Sequence, residues 1–200
     1  MNWNVLSSRH ILTRPWMTVR VDEVELPNGH VIPEYYVFEY PDWVNVIALA
    51  EDGRMVLVRQ YRHGIGRTSY EIPAGVVEPS DASPLAGAQR ELLEETGFGG
   101  GEWTELMQAS GNAAAYSNIT HCYLARGVRP LAAPRLDDGE DLTCELVEQE
   151  TVRQMLARGE FVQSLMAAPL WKYFAARQER GGQDGIVSTA SQGKDVTRHA

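Results

Sequence analysis

The sequence of 200 residues predicts a single mixed α/β domain, and this length is enough to enclose one hydrophobic core. Alternating apolar and polar residues predict strands between Thr18 and Glu78, and helical spacing of apolar residues predicts a helix after Ser83. A further strand pattern from Trp103 to Ala125 is followed by two helical segments after Glu148. Strands interrupted by one helix and followed by others are typical of a mixed α/β domain.

Two hairpins are predicted in the first third of the chain. Asn28 and Gly29 separate TVRVDEVEL from VIPEYYVFEY, and Asn-Gly is a strong signal for a tight turn between paired strands. The tripeptide EDG separates WVNVIALA from RMVLVRQYR in the same way. SYEIPAGVVE is predicted as two short strands that meet at residues 73–75.

The first helix has clear end signals. Ser83 can accept a hydrogen bond from the free N–H groups of the first turn, and Pro84 suits the first helical position. Gly97 suits the left-handed residue that ends a helix. The face expected to pack inward carries apolar or small residues at helical spacing: Leu85, Ala88, Leu92 and Thr96.

Composition and charge exclude several classes of protein. The net charge of −9 and the isoelectric point of about 5.0 argue against a general nucleic-acid-binding protein, which needs a basic face. No apolar run is long enough to span a membrane, and the N-terminus lacks the layout of a secretory signal. Cys122 and Cys144 match no metal-ligand spacing, so we expect reduced thiols in a cytoplasmic protein.

The predicted helix carries an unusual acidic face. Glu91, Glu94 and Glu95 are three and four positions apart, so they lie on one side, where each exposed like-charge pair costs about 0.2–0.5 kcal/mol. Gly87 lies on the same side and costs about 1 kcal/mol relative to alanine, while Arg90 offsets part of the repulsion. Hard divalent cations would explain the carboxylates, and room for a ligand would explain the glycine. The alternative is a solvated acidic face.

The stretch EIPAGVVEPSDASPLAGAQRELLEETGF resembles the signature of the Nudix hydrolases. Gly75 opens the pattern, and the constrained positions of its C-terminal half are all present: Arg90, Glu91, Leu92, Glu94, Glu95, Gly97 and Phe98. The middle is one residue longer than the family pattern, and Asp81 or Ala82 stands where the family has a glutamate that braces the loop and helix. We expect Asp81 to take that role with Arg90. The resemblance implies an α/β/α sandwich with a mixed sheet.

The resemblance also implies a metal-dependent site. It makes Glu91 and Glu95 the main ligands of two or three Mg²⁺ ions, with Mn²⁺ as the alternative ion, and Glu94 a further ligand or a holder of water. In the ADP-ribose branch of the family a backbone carbonyl before the first glycine also binds metal, and here that residue is Ala74. The resemblance also makes Glu94 and the arginine of the signature, Arg90, candidate catalytic residues.

Hydrolysis also needs a base that takes a proton from the attacking water. In the ADP-ribose branch this base usually comes from an acidic loop after the signature, and this chain has RLDDGEDLTCEL. Glu140 is the candidate base, with Asp138 and Asp141 as alternatives. An ordinary exposed acidic turn is the other interpretation of this segment.

The stretch VLVRQYRHGIGRTSYEIPAG is similar to the ADP-ribose and ADP-sugar pyrophosphatases. Arg62 is the candidate phosphate contact, because a guanidinium offers parallel donors to phosphate oxygens; a surface salt bridge is the alternative. Glu71 is a candidate contact to a sugar hydroxyl or a metal-bound water, or a strand-end charge. Trp16 is a candidate to stack on a base, although a core or interface role would also explain it.

The segment GNAAAYSNITHCYLA departs from the ADP-ribose branch, which often has Ser-Pro-Gly near this place. Tyr116 resembles a tyrosine of enzymes that cleave dinucleoside polyphosphates, so it is a further candidate substrate contact, with strand-edge packing as the alternative. The predicted activity is hydrolysis of nucleoside diphosphate sugars, ADP-ribose among them, to a nucleoside monophosphate and a sugar phosphate. The alternatives are a dinucleoside polyphosphate hydrolase and a non-catalytic nucleotide sensor.

The same branch resemblance implies a domain organisation. Residues 1–45 are expected to form a small N-terminal antiparallel sheet that pairs two subunits, and residues 46–178 the catalytic domain. Residues 179–200, rich in Gly, Ser and Thr, are predicted to be disordered. The protein is therefore expected to be a homodimer that binds no nucleic acid and no membrane.

Overall fold

The computed structural model describes residues 2–137 and 139–187, with side chains through residue 178. These residues form a three-stranded sheet, an eight-stranded mixed sheet and three α-helices. The predicted mixed α/β class is confirmed.

The smaller sheet is built by the N-terminus. Its three antiparallel strands lie in chain order: β1 (Asn4–Arg14), β2 (Met17–Glu25) and β3 (Val31–Glu39). The turn between β2 and β3 has Gly29 at φ 81°, a left-handed backbone that Asn-Gly sequences favour, so the predicted hairpin is present.

The larger sheet forms the centre of the molecule. Its strands are β4 (Trp43–Ala50), β5 (Met55–Arg62), β6 (Arg67–Glu71), β7 (Ala74–Val76), β8 (Phe98–Gly99), β9 (Glu102–Ala109), β10 (Thr120–Pro130) and β11 (Leu142–Val147). The main path runs β11-β5-β4-β10-β8, and β6, β7 and β9 pair with β5, β4 and β10. The β4–β10 pair is parallel and the other pairs are antiparallel.

Helices cover both faces of this sheet, as in the predicted α/β/α sandwich. They are α1 (Pro84–Thr96), α2 (Gln149–Ala157) and α3 (Ser164–Val187). Alternate residues of β4 enter two separate cores: Val44 and Val46 pack with Ala88 and Leu92 of α1, and Ile47 packs with residues of α2 and α3. Strands buried on both faces explain the nearly continuous apolar runs in β4 and β5.

Helix α1 begins and ends as its sequence signals predict. The Ser83 hydroxyl oxygen accepts a hydrogen bond from Ala86 N at 3.2 Å, and Pro84 is the first helical residue. Gly97 has φ 75° and donates its N–H to Leu93 O at 2.8 Å, which closes the helix.

The β4–β5 hairpin separates toward one end. The two strands pair at Ala48–Val56 and Leu49–Met55. Farther from the turn, β4 pairs with β7 over residues 43–45, and β5 pairs with β6 over residues 58–62. A space therefore forms between the ends of β4 and β5, with backbone from four strands around it.

The segment after β10 is fastened to the C-terminal end of α1. Leu131 N donates to Gly97 O at 2.8 Å, and Arg135 N donates to Glu94 O at 2.7 Å. A Cβ on Gly97 would lie 2.2 Å from Ala132 O, so this close approach requires glycine. Strand β11 follows shortly afterwards, at Leu142.

The strands and helices near the two predicted divisions of the chain have the following bounds. The small sheet ends at Glu39 and the large sheet begins at Trp43, so the division predicted at residues 45 and 46 falls within β4. The backbone of α3 continues to Val187, into the tail of residues 179–200 that the sequence predicted to be disordered; residues 188–200 lie outside the described residues. No helix in the described part of the chain is both long and apolar enough to cross a membrane.

Candidate active site

A cavity of about 590 Å³ occupies the space where β4 and β5 separate. It is lined by residues of β4, β5, β6, β7 and β10, by Glu95 of α1, by the segment from Val162 to Met166 and by Glu140. Its polar and charged lining residues are Asn45, Gln60, Arg62, His63, Ser69, Glu71, Glu95, Thr120, Glu140 and Gln163. The cavity therefore brings together five candidate site residues from the sequence: Arg62, Glu71, Ala74, Glu95 and Glu140.

Arg62 and Glu71 form a bidentate ion pair in one wall of the cavity. Arg62 Nε donates to Glu71 Oε1 at 2.8 Å, and a terminal guanidinium nitrogen donates to Glu71 Oε2 at 2.5 Å. The Glu71 side chain is 1% exposed, whereas that of Arg62 is 41% exposed. A guanidinium has five N–H donors, and Glu71 takes two of them, so Arg62 keeps donors for a ligand in the cavity. Glu71 itself has both carboxylate oxygens engaged by Arg62.

Glu91 and Glu95 lie on the buried side of α1, beneath the strand that opens the signature. Glu95 is 3% exposed and accepts a hydrogen bond from Ala74 N at 3.1 Å; Glu91 is 8% exposed and accepts one from Val76 N at 3.1 Å. Burial is the main cause that raises the pKa of Glu95 to about 8, and the nearby Glu91 and Glu140 carboxylates raise it further. Burial also raises the pKa of Glu91 above its usual value, against the lowering effect of Arg90.

Gly75 permits the close approach of β7 to the Glu91 carboxyl group. A Cβ on Gly75 would lie 2.1 Å from the Glu91 carboxyl carbon, far inside van der Waals contact. Any side chain at this position would displace the carboxylate. The glycine that opens the signature is therefore required by the position of Glu91.

Arg90 holds the loop before α1 against the helix. Its guanidinium donates to Asp81 Oδ1 at 3.2 Å, to Asp81 Oδ2 at 3.0 Å and to Val76 O at 2.8 Å. It also donates to Glu91 and Glu94 at 3.0 and 2.9 Å. These contacts have the bracing geometry expected of Asp81 and Arg90. Neither Arg90 nor Glu94 lines the cavity, and the Glu94 side chain is 43% exposed.

The structure explains the glycine at position 87 differently from the sequence. We expected the glycine to leave room for a ligand, but a Cβ there would lie 2.8 Å from Asp81 Oδ2. The space beside Gly87 is occupied by the carboxylate that binds Arg90. The glycine therefore serves the brace between loop and helix.

The oxygen donors in and beside the cavity suit a hard divalent cation, although Glu91, unlike Glu95 and Ala74, is not a lining residue. The carboxylates of Glu91 and Glu95 and the backbone oxygen of Ala74 are the kind of oxygen ligands that Mg²⁺ prefers. A cation would also offset the cost of burying like charges together. As the side chains stand, no group of three acidic, histidine or cysteine residues within residues 2–137 and 139–178 is gathered closely enough to hold a metal ion.

The three candidate bases differ in position. Glu140 lines the cavity, and its Oε2 accepts a hydrogen bond from Asp137 N at 3.0 Å. Its charge acts on both Glu95 and Arg62, which places it near them. Asp141 is exposed and is not a lining residue, and Asp138 lies outside the described residues.

The two aromatic candidates do not line the cavity. Trp16 lies in the turn between β1 and β2 and is 86% exposed. Tyr116 packs edge-to-face against Phe38, Tyr40 and Trp43, with ring centroids 5.3 to 6.3 Å apart. Of this aromatic group, Trp43 lines the cavity.

Sequence reasoning did not single out six polar residues of the cavity, which are Gln60, His63, Ser69, Gln163, Asn45 and Thr120. The last two are the most deeply buried of the six. Asn45 and Thr120 are 1% and 2% exposed and line the wall formed by β4 and β10. The available signal was Asn45 in the apolar run WVNVIALA, because a polar side chain in a buried strand needs a partner or a ligand. Thr120 gave no such signal, since threonine is common in strands.

The substitution Gly75→Ala is expected to displace the Glu91 carboxylate. It should destabilise the protein by about 1–3 kcal/mol, the usual cost of overpacking, and reduce the rise in melting temperature on adding Mg²⁺. Differential scanning fluorimetry with and without Mg²⁺ measures both effects. Gly64→Ala is the matched control, because Gly64 also lines the cavity and a Cβ there meets nothing within 4 Å. Equal responses of the two variants would contradict the prediction.

The raised pKa of Glu95 predicts a pH-dependent stability of the metal-free protein. The folded protein holds the Glu95 proton up to about pH 8, whereas the unfolded chain releases it near the ordinary glutamate pKa of 4.5, so stability falls as the pH rises through this window. Glu95→Gln removes this loss and should raise the melting temperature relative to the unaltered protein. The gain should grow from pH 5 to pH 8.5 and exceed about 3 °C, because a pKa difference of this size corresponds to several kcal/mol and 1 kcal/mol shifts the melting temperature by about 2–4 °C at this chain length.

Thermal melts in EDTA across this pH range measure the Glu95 effect. Glu94→Gln is the control, because it removes a neighbouring carboxylate that is 43% exposed. A constant difference between Glu95→Gln and the unaltered protein at all pH values would contradict the assignment.

Comparisons with known proteins show which family this chain resembles. The NUDIX domain profile matches residues 39–165, and a profile described as the nucleoside diphosphate sugar hydrolase N-terminal domain matches residues 3–38. A Mycobacterium tuberculosis protein named ADP-ribose pyrophosphatase is 29% identical over 84% of this chain and 81% of its own length. A Bacillus subtilis protein of the same name is 32% identical over 68% of this chain and 72% of its own length.

A solved structure described as ADP compounds hydrolase shares the fold, with a TM-score of 0.77 at 22% identity over 92% of this chain and 96% of that chain. The NUDIX profile covers more than half of the chain and includes Arg62, Glu91, Glu95 and Glu140. Members of this family generally need divalent cations. The chain belongs to the Nudix hydrolase family.

Proposed function

We propose that this protein hydrolyses the diphosphate bond of nucleoside diphosphate sugars, ADP-ribose among them, to a nucleoside monophosphate and a sugar phosphate. The observation that carries the proposal is one cavity that holds both an oriented guanidinium, Arg62, and the buried carboxyl group of Glu95, which accepts a hydrogen bond from Ala74 N. The volume of about 590 Å³ is within the range of small-molecule sites. Two relatives named ADP-ribose pyrophosphatase support the substrate class.

The cofactor in this proposal is Mg²⁺, or Mn²⁺, with two or three ions held by Glu91, Glu95 and the Ala74 carbonyl, and Glu94 as a further ligand. Such ions neutralise phosphate oxygens, stabilise the leaving phosphate and lower the pKa of a bound water. The acidic residues alone would repel a diphosphate, so activity should require the metal.

Arg62 binds the phosphate oxygens from the wall formed by β5. Its free N–H groups are available to an anion in the cavity, while Glu71 fixes the plane of the guanidinium through two hydrogen bonds. Charge-assisted bonds from a pre-oriented arginine stabilise a phosphate more strongly than a mobile lysine does. Glu71 therefore acts through Arg62 as a positioning residue.

Glu140 removes the proton from the attacking water. Among the described acidic residues of the RLDDGEDL segment, Glu140 is the one that lines the cavity, and its neighbour Asp141 is exposed to solvent. A carboxylate near Arg62 and Glu95 lies beside both the phosphate contact and the metal ligands. This position suits general-base catalysis.

We also propose a homodimer formed through the N-terminal sheet, in a cytoplasmic protein. The sheet and the residues that flank its strands expose large apolar side chains, which are Trp3, Val5, Leu6, Ile11, Trp16, Met17, Val31 and Tyr36. Exposed apolar side chains in this number support the proposed interface. Both cysteines are free thiols, as in a reducing compartment. Sedimentation velocity that shows only monomers at micromolar concentration would contradict the dimer.

A substrate panel tests the proposed activity. With Mg²⁺, kcat/KM should be highest for a nucleoside diphosphate sugar among ADP-ribose, ADP-glucose, GDP-mannose and diadenosine tetraphosphate, with products identified by mass. Excess EDTA should abolish turnover, and Mg²⁺ should restore it. A preference for diadenosine tetraphosphate would assign a dinucleoside polyphosphate hydrolase, and tight binding without turnover would assign a sensor. Full activity of the metal-free protein would refute the mechanism.

Glu140→Gln is expected to lower kcat by about 10²–10⁴-fold, because the amide cannot accept the proton from water. KM should change little, since the side chain keeps its shape. Steady-state kinetics with the best substrate of the panel provide the measurement. Asp141→Asn is the matched control and should remain within twofold of the unaltered protein, because Asp141 is exposed and does not line the cavity. A loss of less than twofold for Glu140→Gln would exclude it as the base.

A further inference from the structure

Two buried oxygen atoms in the cavity wall have no hydrogen-bond partner. They are Oδ1 of Asn45 on β4 and Oγ1 of Thr120 on β10, in residues that are 1% and 2% exposed. In the parallel β4–β10 pair, Trp43 lies beside Thr120 and Asn45 beside Cys122, so the Asn45 and Thr120 side chains are on the same face of the sheet. Both residues line the cavity.

Unpaired buried oxygens are uncommon because they are costly. A buried acceptor without a partner loses about 1–3 kcal/mol relative to one that is hydrogen-bonded, so native proteins usually supply a group, a water or a ligand. In the described part of the chain Ser110 and Asn118 also have such an oxygen, but neither lines the cavity. The thiol of Cys122 lies close to the Asn45 amide, but a thiol is a weak donor.

The orientation of the Asn45 amide is fixed by α3. Pro169 lies inside this helix and has no N–H, so the carbonyl of Leu165, four residues earlier, lacks its helical donor. Asn45 Nδ2 donates to Leu165 O at 2.8 Å and satisfies that carbonyl. Because a carbonyl only accepts, the nitrogen of the amide must face Leu165, and Oδ1 is left as a free acceptor.

The two sides of the cavity differ in chemistry. Arg62, on the β5 side, is a cation suited to phosphate, whereas Asn45 Oδ1 is an acceptor that no phosphate oxygen can satisfy. A hydroxyl can donate to Asn45 Oδ1 and exchange a hydrogen bond with Thr120 Oγ1. Asn45 pairs along the backbone with Ala74, so a group bound there is next to the proposed metal site. In a nucleoside diphosphate sugar, the groups attached directly to the diphosphate are sugars, and the base is one sugar farther away.

We propose that Asn45 and Thr120 form a subsite for the hydroxyl groups of a sugar attached to the diphosphate. This inference rests on the proposed function and deepens it: the subsite selects substrates that carry a sugar hydroxyl beside the cleaved bond. Asn45 is the oriented acceptor, Thr120 completes the hydroxyl pair, and Pro169 acts indirectly, by leaving the Leu165 carbonyl for the Asn45 amide.

The test uses three variants of the full chain, so that loss of the subsite is separated from damage to the fold. Thr120→Val removes the hydroxyl and keeps the shape of the side chain. Asn45→Ala alone would leave Leu165 O without a donor, so it is combined with Pro169→Ala, which restores a helical N–H to that carbonyl. Pro169→Ala alone is the matched reference for the double variant, since it retains Asn45.

Binding is measured by isothermal titration calorimetry in the presence of Mg²⁺. The three probes lack the nucleotide–sugar diphosphate bond that the proposed reaction cleaves. They are inorganic pyrophosphate, ADP with a methylene bridge between its phosphates, and ADP-ribose with the same bridge. Thr120→Val should raise the Kd of the ADP-ribose analogue about 3–10-fold relative to the unaltered protein, as expected for one lost hydrogen bond. The double variant should raise it by a similar factor relative to Pro169→Ala. Pyrophosphate binding should change less than twofold.

The nucleotide arms identify which sugar is bound. A loss confined to the ADP-ribose analogue assigns the subsite to the terminal sugar, and an equal loss for both nucleotide analogues with pyrophosphate unchanged assigns it to the ribose of the nucleoside. No loss for any probe, or an equal loss for all three, would overturn the subsite while leaving the proposed function intact. An unaltered protein that neither cleaves ADP-ribose nor binds either nucleotide analogue would overturn the proposed function, and this inference with it.

Discussion

The burial of two neighbouring carboxylates, Glu91 and Glu95, is the constraint on which the rest of this site depends. Carboxylates removed from water need hydrogen bonds or cations, and here backbone N–H groups of β7 supply the first of these. Those N–H groups come close enough because residue 75 has no side chain. Arg90 then holds the loop in place through Asp81. The glycine, the arginine and the loop acid of the signature thus serve the position of two glutamates.

The cavity results from the way strands change partners. Beyond their hairpin, β4 and β5 separate and pair with β7 and β6. The sheet therefore keeps its backbone hydrogen bonds while leaving a space between the ends of these two strands. The strand ends that border this space carry the charged pair Arg62–Glu71 on one side and the neutral Asn45 and Thr120 on the other. A substrate with charged and uncharged halves matches this division.

The parts that local sequence signals determine were predictable: the hairpin at Asn28–Gly29, the ends of α1 at Ser83 and Gly97, and the layered class. The carboxylates of α1 could be named because their spacing is a property of one helix. Contacts between distant segments could not be read in this way. Asn45 depends on Pro169, far along the chain, and the neighbour of Gly87 proved to be Asp81 instead of a ligand. Tyr116 illustrates the same limit, because its partners Phe38 and Tyr40 come from the N-terminal part of the chain.

The fastening of the segment after β10 to the end of α1 has a mechanical consequence. Arg135 is bound to Glu94 O, and β11 begins at Leu142, so the stretch that carries Glu140 is a short bridge between two fixed anchors. If α1 moved, the anchor at Arg135 would move with it. The distance between Glu140 and the glutamates of α1 would therefore change less than if Glu140 were carried by a long free loop. Inserting residues into this stretch would make the position of Glu140 relative to α1 less fixed, without altering any side chain of the cavity.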